Sequence, residues 1–516
     1  MLFPQAAITP PSGIKGCSKL KNDKASKIIC ICFAALLLAL MVVPFAGMIF
    51  GGGSGTSAEK RNAAEFPALI KDGGANLSFG TEFEAWFRDR FALRSELTQA
   101  DAEIKLGLFN TSPEDDVVAG KDGWLFYADT VPDFCREERL TEIDFLRLVT
   151  VIRLESEYAR SRGAGYVFAV APNKNSIYPE MMPAGFTVQE KDSLSRRLIA
   201  ALKAQGVPVA DLEAALLEAK NSGKGPLYYT GDSHWNLLGS NIAAEALHEA
   251  FRGQSRFSAG WSLRDLSAVT AGMREDDLLG MVQPMKSTRY EEFALDSSPD
   301  RFTASPRMRS LDDLIIRTRS DAPIQLRLLC SRDSFGRALV KPLSESFREA
   351  VFTRNSAFDI AGEIDEKTVV IREIVERNVP NLLKTAPVTE APKVGEAGEA
   401  GEAGEDAAAS PSEDAQASPS DGTEAFPVPV NVREAPDVVW FKETAGAMVH
   451  YYGYAAASEA QPCGRIFVKT EDGGMYEASP IIEEKLLTNL KAKADEVCGF
   501  SFYLAEDAGD VLGVTC

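Results

Sequence analysis

A chain of 516 residues with 45% hydrophobic content is long enough for two or three folded domains and too apolar for a disordered protein. Its net charge of −20 excludes a general nucleic-acid binder, because phosphate contacts need clustered Lys and Arg. Part of that charge is local: Glu390 to Glu424 holds ten acids and one Lys.

In chain order, the first signal is an uncharged run from Ile28 to Phe50, preceded by Lys15, Lys19, Lys21, Lys24 and Lys27 and followed by Gly51, Gly52 and Gly53. At about 1.5 Å per residue such a run can span a hydrocarbon layer of roughly 30 Å. A cleaved signal peptide would carry a shorter apolar region, of roughly 7–15 residues. The positive-inside rule therefore predicts a cytoplasmic tail over 1–27, a transmembrane signal anchor over 28–50 and an extracytoplasmic remainder. In a double-membrane bacterium this means single-pass attachment to the inner membrane, with the remainder of the chain in the periplasm.

Next, Thr81 to Leu108 reads as one helix, with Phe83, Trp86, Phe87, Phe91 and Leu93 on its apolar face. Gly120 to Tyr127 reads as an Asp-Gly turn feeding a strand. Helices follow at Phe145–Arg162, Leu194–Ala204 and Ser240–Phe251. The apolar runs Gly165–Pro172, Val207–Asp211, Ile324–Cys330 and Lys367–Ile371 read as strands, the longer ones buried on both faces. This alternation predicts an α/β layer sandwich with a mostly parallel sheet, whose active site lies beyond the carboxyl ends of its strands.

From 384 to 434 the Gly-Glu-Ala repeat at 395–404 and the Ser-Pro pairs at 410–411 and 418–419 predict a disordered acidic linker. Its GxxG spacings follow no strand and carry no nucleotide-binding message. Beyond it, 435–516 reads as a small α+β module, with strands near Met448–Tyr454, Ile466–Thr470 and Phe500–Leu504 and a helix near Ile482–Glu496. No Cys or His spacing fits zinc, and neither metal nor cofactor is expected. An oxidising compartment favours a disulfide among Cys463, Cys498 and Cys516, with Cys463–Cys498 the first choice.

The chain has three histidines. His248 falls inside a helix and His450 in a strand, so packing roles are their default. His234 lies in the polar loop Tyr228-Tyr-Thr-Gly-Asp-Ser-His-Trp-Asn236. There Asp232 can fix its tautomer and stabilise the imidazolium that forms in catalysis. Ser334 follows a strand in Cys330-Ser-Arg-Asp-Ser-Phe-Gly336, where a sharp turn presents Oγ to a cleft and backbone N–H groups to an oxyanion. A helix N-cap is the bland alternative for this Ser.

Taken together, several segments resemble a family. They are Glu59–Asn62, Phe83–Arg94, Gly120–Phe126, Pro172-Asn-Lys174, Ile177–Glu180, Asp232-Ser-His-Trp235, Asp333-Ser-Phe-Gly336, Val369–Glu373 and Glu376-Arg377. Their order is similar to that in the SGNH-hydrolase-like domain of the alginate O-acetyltransferase family (AlgX and AlgJ, with related DHHW proteins), over about residues 59–383. The resemblance implies Ser334 as nucleophile, His234 as base and Asp232 as its orienting acid. It also implies an extracytoplasmic O-acetyltransferase that acetylates an alginate-like polysaccharide through an acyl-serine, supplied by a membrane-embedded acyltransferase. A polysaccharide acetylesterase with the same triad, or a non-catalytic polysaccharide-binding assembly component, are the alternatives. Arg332 stands where the family has Gly, which narrows the pocket or brings a cation to an anionic sugar. Lys174, Arg332 and Trp235 are the candidate substrate contacts, with packing or ion-pair roles as the alternatives. Asn173, Asn175 and Asn355 are candidates for the oxyanion-hole amide.

Overall fold

The computed structural model describes residues 24–50, 64–71, 74–91, 93–252, 254, 266–284, 286–295, 300–322, 324–355, 358–362, 364–396, 438–445, 448–456, 465–481, 497–508 and 510–515. They fall into two units, Met1–Leu108 with Gln283–Met285 and Phe109–Val282 with Lys286–Cys516.

In the first unit, the run expected to cross a membrane lies within the helix Lys24–Phe50, where Ile28, Ile29, Phe33, Leu36 and Leu38 are exposed. Several side chains of this helix lie outside the described residues, and among the described residues no helix is long and apolar enough to cross a membrane. The single helix expected over Thr81–Leu108 is instead two, Phe79–Arg90 and Arg94–Phe109. Phe91 is extended and Leu93 takes φ 60°, a left-handed conformation rare for a bulky residue. The apolar spacing continues across this break with no Gly or Pro to announce it. Phe66 packs edge-on against Trp86 at 4.9 Å, and the buried Asp89 accepts the Ala64 N–H.

The second unit is built on a seven-stranded sheet. In chain order its strands are β1 Gly165–Ala171, β2 Val209–Ala210, β3 Phe302–Ala304, β4 Ile315–Ser320, β5 Ile324–Ser331, β6 Phe347–Thr353 and β7 Thr368–Val375. The spatial order is β2-β1-β7-β5-β6-β4-β3. From β2 to β6 all neighbours are parallel, while β4 and β3 add antiparallel at one edge. The sheet is therefore mixed, and its antiparallel edge went unread because β4 alternates exposed and buried residues without a long apolar run.

Alternation along the strands explains why both faces are covered. Val167, Ala169, Ala171, Leu328, Cys330, Val369 and Ile371 join one core, and Tyr166, Phe168, Val170, Leu329 and Val370 join another. Helices α1 Glu142–Ser161, α2 Leu194–Ala204, α3 Leu212–Asn221 and α4 Leu237–Arg252 supply the covering layers. Thr141, Ser193 and Asp211 cap the first three by accepting a first-turn N–H. A hairpin of Val117–Ala119 and Leu125–Tyr127 turns at Asp122 and Gly123, both left-handed, as the Asp-Gly signal predicts.

The register places the site. Val375 of β7 pairs with Ala171 of β1, and Ser331 of β5 pairs with Arg372 of β7. Three strands thus end on the same side, followed by Asn173-Lys174, Arg332–Ser334 and Glu376-Arg377.

The first residues of the expected linker, 384–396, are structured, and the rest of it, 397–434, lies outside the described residues. Thr389 and Ala391 are buried, and β8 Lys393–Glu396 joins a four-stranded sheet with Ile466–Thr470, Gly474–Ala478 and Val511–Thr515. Val438–Ala445, Met448–Ala456 and Val497–Ala505 form a three-stranded sheet. Glu477, almost fully buried, accepts Arg465 at 2.6 and 2.8 Å and Arg153 of α1 at 2.6 Å. Arg153 also donates to Glu157 at 2.8 Å, so two acids balance two guanidiniums in a buried network that fixes geometry more than it adds net stability. The expected helix 482–496 and the Cys463–Cys498 disulfide lie outside the described residues. Cys135 and Cys330 are buried free thiols.

Candidate active site

Asp232 and His234 are brought together by the loop between α3 and α4, whose ends are tied by a bridge from Tyr228 to Trp235. Asp232 Oδ1 accepts the His234 backbone N–H at 3.0 Å and lies 2.7 Å from His234 Nδ1. A two-residue spacing lets one carboxylate hold both the backbone and the ring, so the imidazole is oriented by its own loop. Asp232 Oδ2 accepts Arg274 Nη2 at 3.0 Å and the Asp277 N–H at 3.4 Å.

A second acid completes the setting. Asp277 begins the helix Asp277–Val282 and accepts the Ser233 N–H at 2.7 Å and the Ser233 hydroxyl, with Oδ2 3.4 Å from His234 Nδ1. Burial alone would raise the Asp232 carboxyl, but its bonds with His234 and the Arg274 charge overturn this and hold it well below the usual range. For His234, burial disfavours the imidazolium, but hydrogen bonds and charge from Asp232 and Asp277 push it up to about 9. At neutral pH the ring is mostly protonated at rest, and its base form grows as pH rises. Asp277→Asn should then move the rising limb of the pH–rate profile toward acid by roughly one unit, raising the rate at pH 7 up to about tenfold. An unmoved limb in that profile would show that Asp277 does not tune the ring.

The outward edge of the ring is poised for a partner. His234 Nε2 is buried and has no hydrogen-bond partner among the described residues. The ring packs against Phe335 with centroids 4.8 Å apart. Ser334, half-buried, immediately precedes Phe335 and opens the short 3-10 turn Phe335–Arg337, with no capping bond from its side chain. The segment that carries Ser334 therefore meets the Asp232–His234 loop through neighbouring residues. No Ser334–His234 hydrogen bond occurs in this resting arrangement.

Asp333 holds the Ser334 turn. Its carboxylate accepts the Phe335 N–H at 2.8 Å and the Val375 N–H at 2.6 Å, while its own N–H donates to Glu373 Oε2 at 3.1 Å. Burial raises the Glu373 carboxyl well above the ordinary range, with the Asp333 charge adding to it. Gly336 is needed for close approach: a Cβ there would lie 2.5 Å from Arg332 Cβ and 2.7 Å from Glu373 Oε2.

The candidate substrate contacts are placed differently from the sequence reading. Trp235 is buried and donates Nε1–H to Phe335 O at 3.1 Å, so it fastens the His loop to the Ser turn. Lys174 is also buried, and its Nζ donates to the carbonyls of Tyr229, Thr230 and Asp232 at 3.1, 3.0 and 2.7 Å. It shapes the loop from beneath and is not presented to a ligand. Arg332 gives Nη2 to Leu311 O at 2.7 Å and Asp313 O at 3.2 Å. Asn173 Nδ2 donates to Asp133 at 3.0 Å and Asn175 Nδ2 to Thr130 at 3.2 and 2.8 Å, and both side chains are fully buried.

Arg274 and Asp277 were missed because they lie some 40 residues beyond His234, in a segment with no apolar period. Only the acid pair Asp276-Asp277 before an apolar stretch hinted at a helix start. Asp232, His234 and Asp277 also place donor atoms within 4.8 Å of one another, as a metal site would. Their hydrogen bonds already use those atoms, so an ion would have to displace the Nδ1 proton. Another Ser–His–acid set lies in the C-terminal sheets, where His450 Nδ1 is 3.0 Å from Glu443 and Nε2 is 2.8 Å from Ser501 Oγ. Ser501 is wholly buried in mid-strand, so that set is structural.

Comparison with known proteins gives a matching context. Residues 117–315 match the family model described as the SGNH hydrolase-like domain of acetyltransferase AlgX. The chain is 29% identical over 213 residues to the probable alginate O-acetylase AlgJ of Pseudomonas aeruginosa, covering 41% of this chain and 51% of that protein. The probable alginate O-acetylase AlgJ of Pseudomonas syringae pv. tomato is 29% identical over 167 residues, 32% of this chain and 41% of its own length. The chain thus spans about half the length of the curated relatives it matches, or less. Among solved structures, the O-acetyltransferase domain of Pseudomonas putida AlgJ aligns with TM-score 0.36 and 20% identity over 51% of this chain and 92% of that one. Pseudomonas aeruginosa AlgX aligns with TM-score 0.35 and 13% identity over 81% and 93%.

Proposed function

We propose, from the premise that this chain belongs to the AlgX/AlgJ-like family, that its α/β domain is an O-acetyltransferase acting on a polysaccharide through an acyl-serine. The observation that carries this reading is the Asp232–His234 pair, whose ring packs against Phe335, next to Ser334, with Nε2 unpartnered among the described residues.

In the first step, neutral His234 takes the Ser334 hydroxyl proton at Nε2 as Oγ attacks the carbonyl carbon of an acetyl ester. In this reading the Ser334 N–H donates to the oxyanion, since the Phe335 N–H already serves Asp333. His234 returns the proton to the departing alcohol, leaving acetyl-Ser334. In the second step, His234 takes a proton from a sugar hydroxyl as that oxygen attacks the acyl carbon, and gives it back to Ser334 Oγ. Asp232 stabilises the imidazolium in both halves and never needs to change its own charge.

The charge-free run 28–50 after five lysines supports a single membrane anchor, with the catalytic unit outside the cytoplasm. A membrane-embedded acyltransferase would then hand over the acetyl group. Water in place of the sugar would make the same site an esterase.

The test incubates the full chain with an acetyl-ester donor and a defined oligosaccharide, and reads acetylated sugar by mass spectrometry against Ser334→Ala. The expected result is sugar acetylation that falls at least a thousandfold or so in the variant. Ser334-dependent free acetate without acetylated sugar would favour the esterase. Turnover that survives in Ser334→Ala would reject the acyl-serine.

A further inference from the structure

Between α4 and β3 the chain forms an antiparallel hairpin of Leu266–Arg274 and Thr288–Leu295, outside the seven-stranded sheet. Its register sets Arg274 opposite Thr288, and Tyr290 lies two residues further on, so both side chains leave the same end and face of the hairpin. Both reach the loop that carries Asp232. Arg274 Nη2 donates to Asp232 Oδ2 at 3.0 Å, and its Nε lies 3.2 Å from Asp276 Oδ1. The guanidinium stacks on the Tyr229 ring, 3.9 Å from its centroid. The Tyr290 hydroxyl accepts the Gly231 N–H at 3.1 Å and donates to the Asp276 carboxylate, while its ring lies 5.1 Å from that of Tyr229.

These contacts decide how Asp232 can sit. Oδ1 serves the His234 backbone and ring, and Arg274 grips Oδ2. A carboxylate held at both oxygens cannot turn its inner oxygen away from the imidazole. Gly231 lets the hairpin close on the loop, because a Cβ there would lie 2.6 Å from Asp276 Oδ2. Lys174 holds the carbonyls of this loop, but only the hairpin grips the carboxylate itself. Charge is the second consequence. The Asp232–His234 pair is faced by Asp277, by Asp276 with the Tyr290 hydroxyl, by Lys174, and by Arg377 across Phe335. Asp232 and Asp277 favour the imidazolium, which is the wrong form for a base. The Arg274 guanidinium, one carboxylate away from the ring, opposes them.

We propose that Arg274 is a positioning residue for the transfer: the hairpin brings it onto the outer oxygen of Asp232, so that the inner oxygen stays on His234, and its charge offsets that of Asp277. The assignment rests on the reading of His234 as the base that serves Ser334. It gives the hairpin a function that its place outside the main sheet does not announce, that of a brace for the acid of the triad.

Two measurements on the full chain in detergent test this. The first follows the ring nitrogens of His234 by NMR across pH in 15N-histidine-labelled protein, where three histidines leave few signals to assign. Arg274→Gln should move the His234 midpoint up by roughly half a unit to one unit, opposite in sign to Asp277→Asn, and the double variant should return it close to the parent. Arg274→Lys, which keeps the charge, should leave it in place. A midpoint that stays or falls in Arg274→Gln overturns the proposal. The second measurement is acetyl-ester hydrolysis at pH 7, with the melting temperature as the fold control. There Arg274→Gln should lower kcat about tenfold at unchanged KM, and Arg274→Lys about threefold, because it loses the fork but not the charge. If Arg274→Gln does not fold, Arg274→Lys decides: an unchanged kcat or a raised KM overturns the proposal, the latter by making Arg274 a substrate contact. The two readings fail separately. A shifted midpoint with hydrolysis indifferent to Ser334→Ala supports Arg274 as the brace and rejects the acyl-serine. Ser334-dependent hydrolysis with an unmoved midpoint rejects the brace and leaves the acyl-serine standing.

Discussion

Replacing Ser334 and His234 together by alanine should cost no more turnover than replacing Ser334 alone, a loss of roughly 10⁴-fold or greater. The reason lies in what each group does. In the proposed mechanism His234 contributes only by moving the Ser334 proton, so once the hydroxyl is gone the base has nothing to act on. Two independent contributions of that size would multiply to about 10⁸-fold, which is far enough from 10⁴-fold for a simple rate measurement to decide. Single-turnover hydrolysis of an acetyl ester, with the melting temperature of each variant as the fold control, gives the comparison. Ser334→Ala should matter little to stability, whereas His234→Ala strips the buried Asp232 of its imidazole partner and should lower the melting temperature. Ser334 Oγ makes no capping bond, and the residual rate would come from whatever the backbone donors and the binding cleft still provide. A double variant much slower than either single one would mean that His234 acts on something other than Ser334.

How much of this was legible in the sequence depends on whether each feature left a local pattern. The parallel half of the sheet was readable, because β1, β5 and β7 are buried throughout or over most of their length and leave long apolar runs. Asp232 and His234 were readable as a pair, because a carboxylate two residues before a His reaches both its backbone and its ring. The break at Phe91–Leu93 was not, since a left-handed Leu has no sequence signature of its own. Nor were the roles of Lys174, Trp235 and Arg332. A Lys or Arg in a polar motif looks like a ligand contact until the carbonyls it serves are known, and those carbonyls lie more than 50 residues away for Lys174 and about 20 for Arg332. Asp277 and Glu373 tune the site through contacts 43 and 40 residues distant in sequence, on His234 and Asp333. Charge at such a site is set by the fold, so a sequence reading finds the reacting groups before it finds the groups that hold them.

Lys174 is the clearest case, and its replacement should be the most damaging change that touches no reacting atom. Its ammonium is enclosed beside the Trp124 and Phe126 rings, 5.5 and 5.1 Å from their centroids. All three of its N–H bonds are used on the carbonyls of Tyr229, Thr230 and Asp232. Burial pulls it down to about 7, against the Asp232, Asp277 and Asp276 charges, which hold the proton on. Lys174→Met keeps the length and apolar bulk but removes every donor, leaving three inward carbonyls unserved. At about 1–3 kcal/mol for each unsatisfied group, reduced by relaxation of the loop, the variant should lose on the order of 3–5 kcal/mol in denaturant unfolding. The loop released is the one that sets Asp232 against His234, so kcat should fall even below the new melting temperature, with the binding of oligosaccharide little changed. Loss of kcat without change in KM is the signature of a group that positions the base and does not touch substrate. An unfolding midpoint that stays in place, or a rise in KM alone, would return Lys174 to the role of a substrate contact.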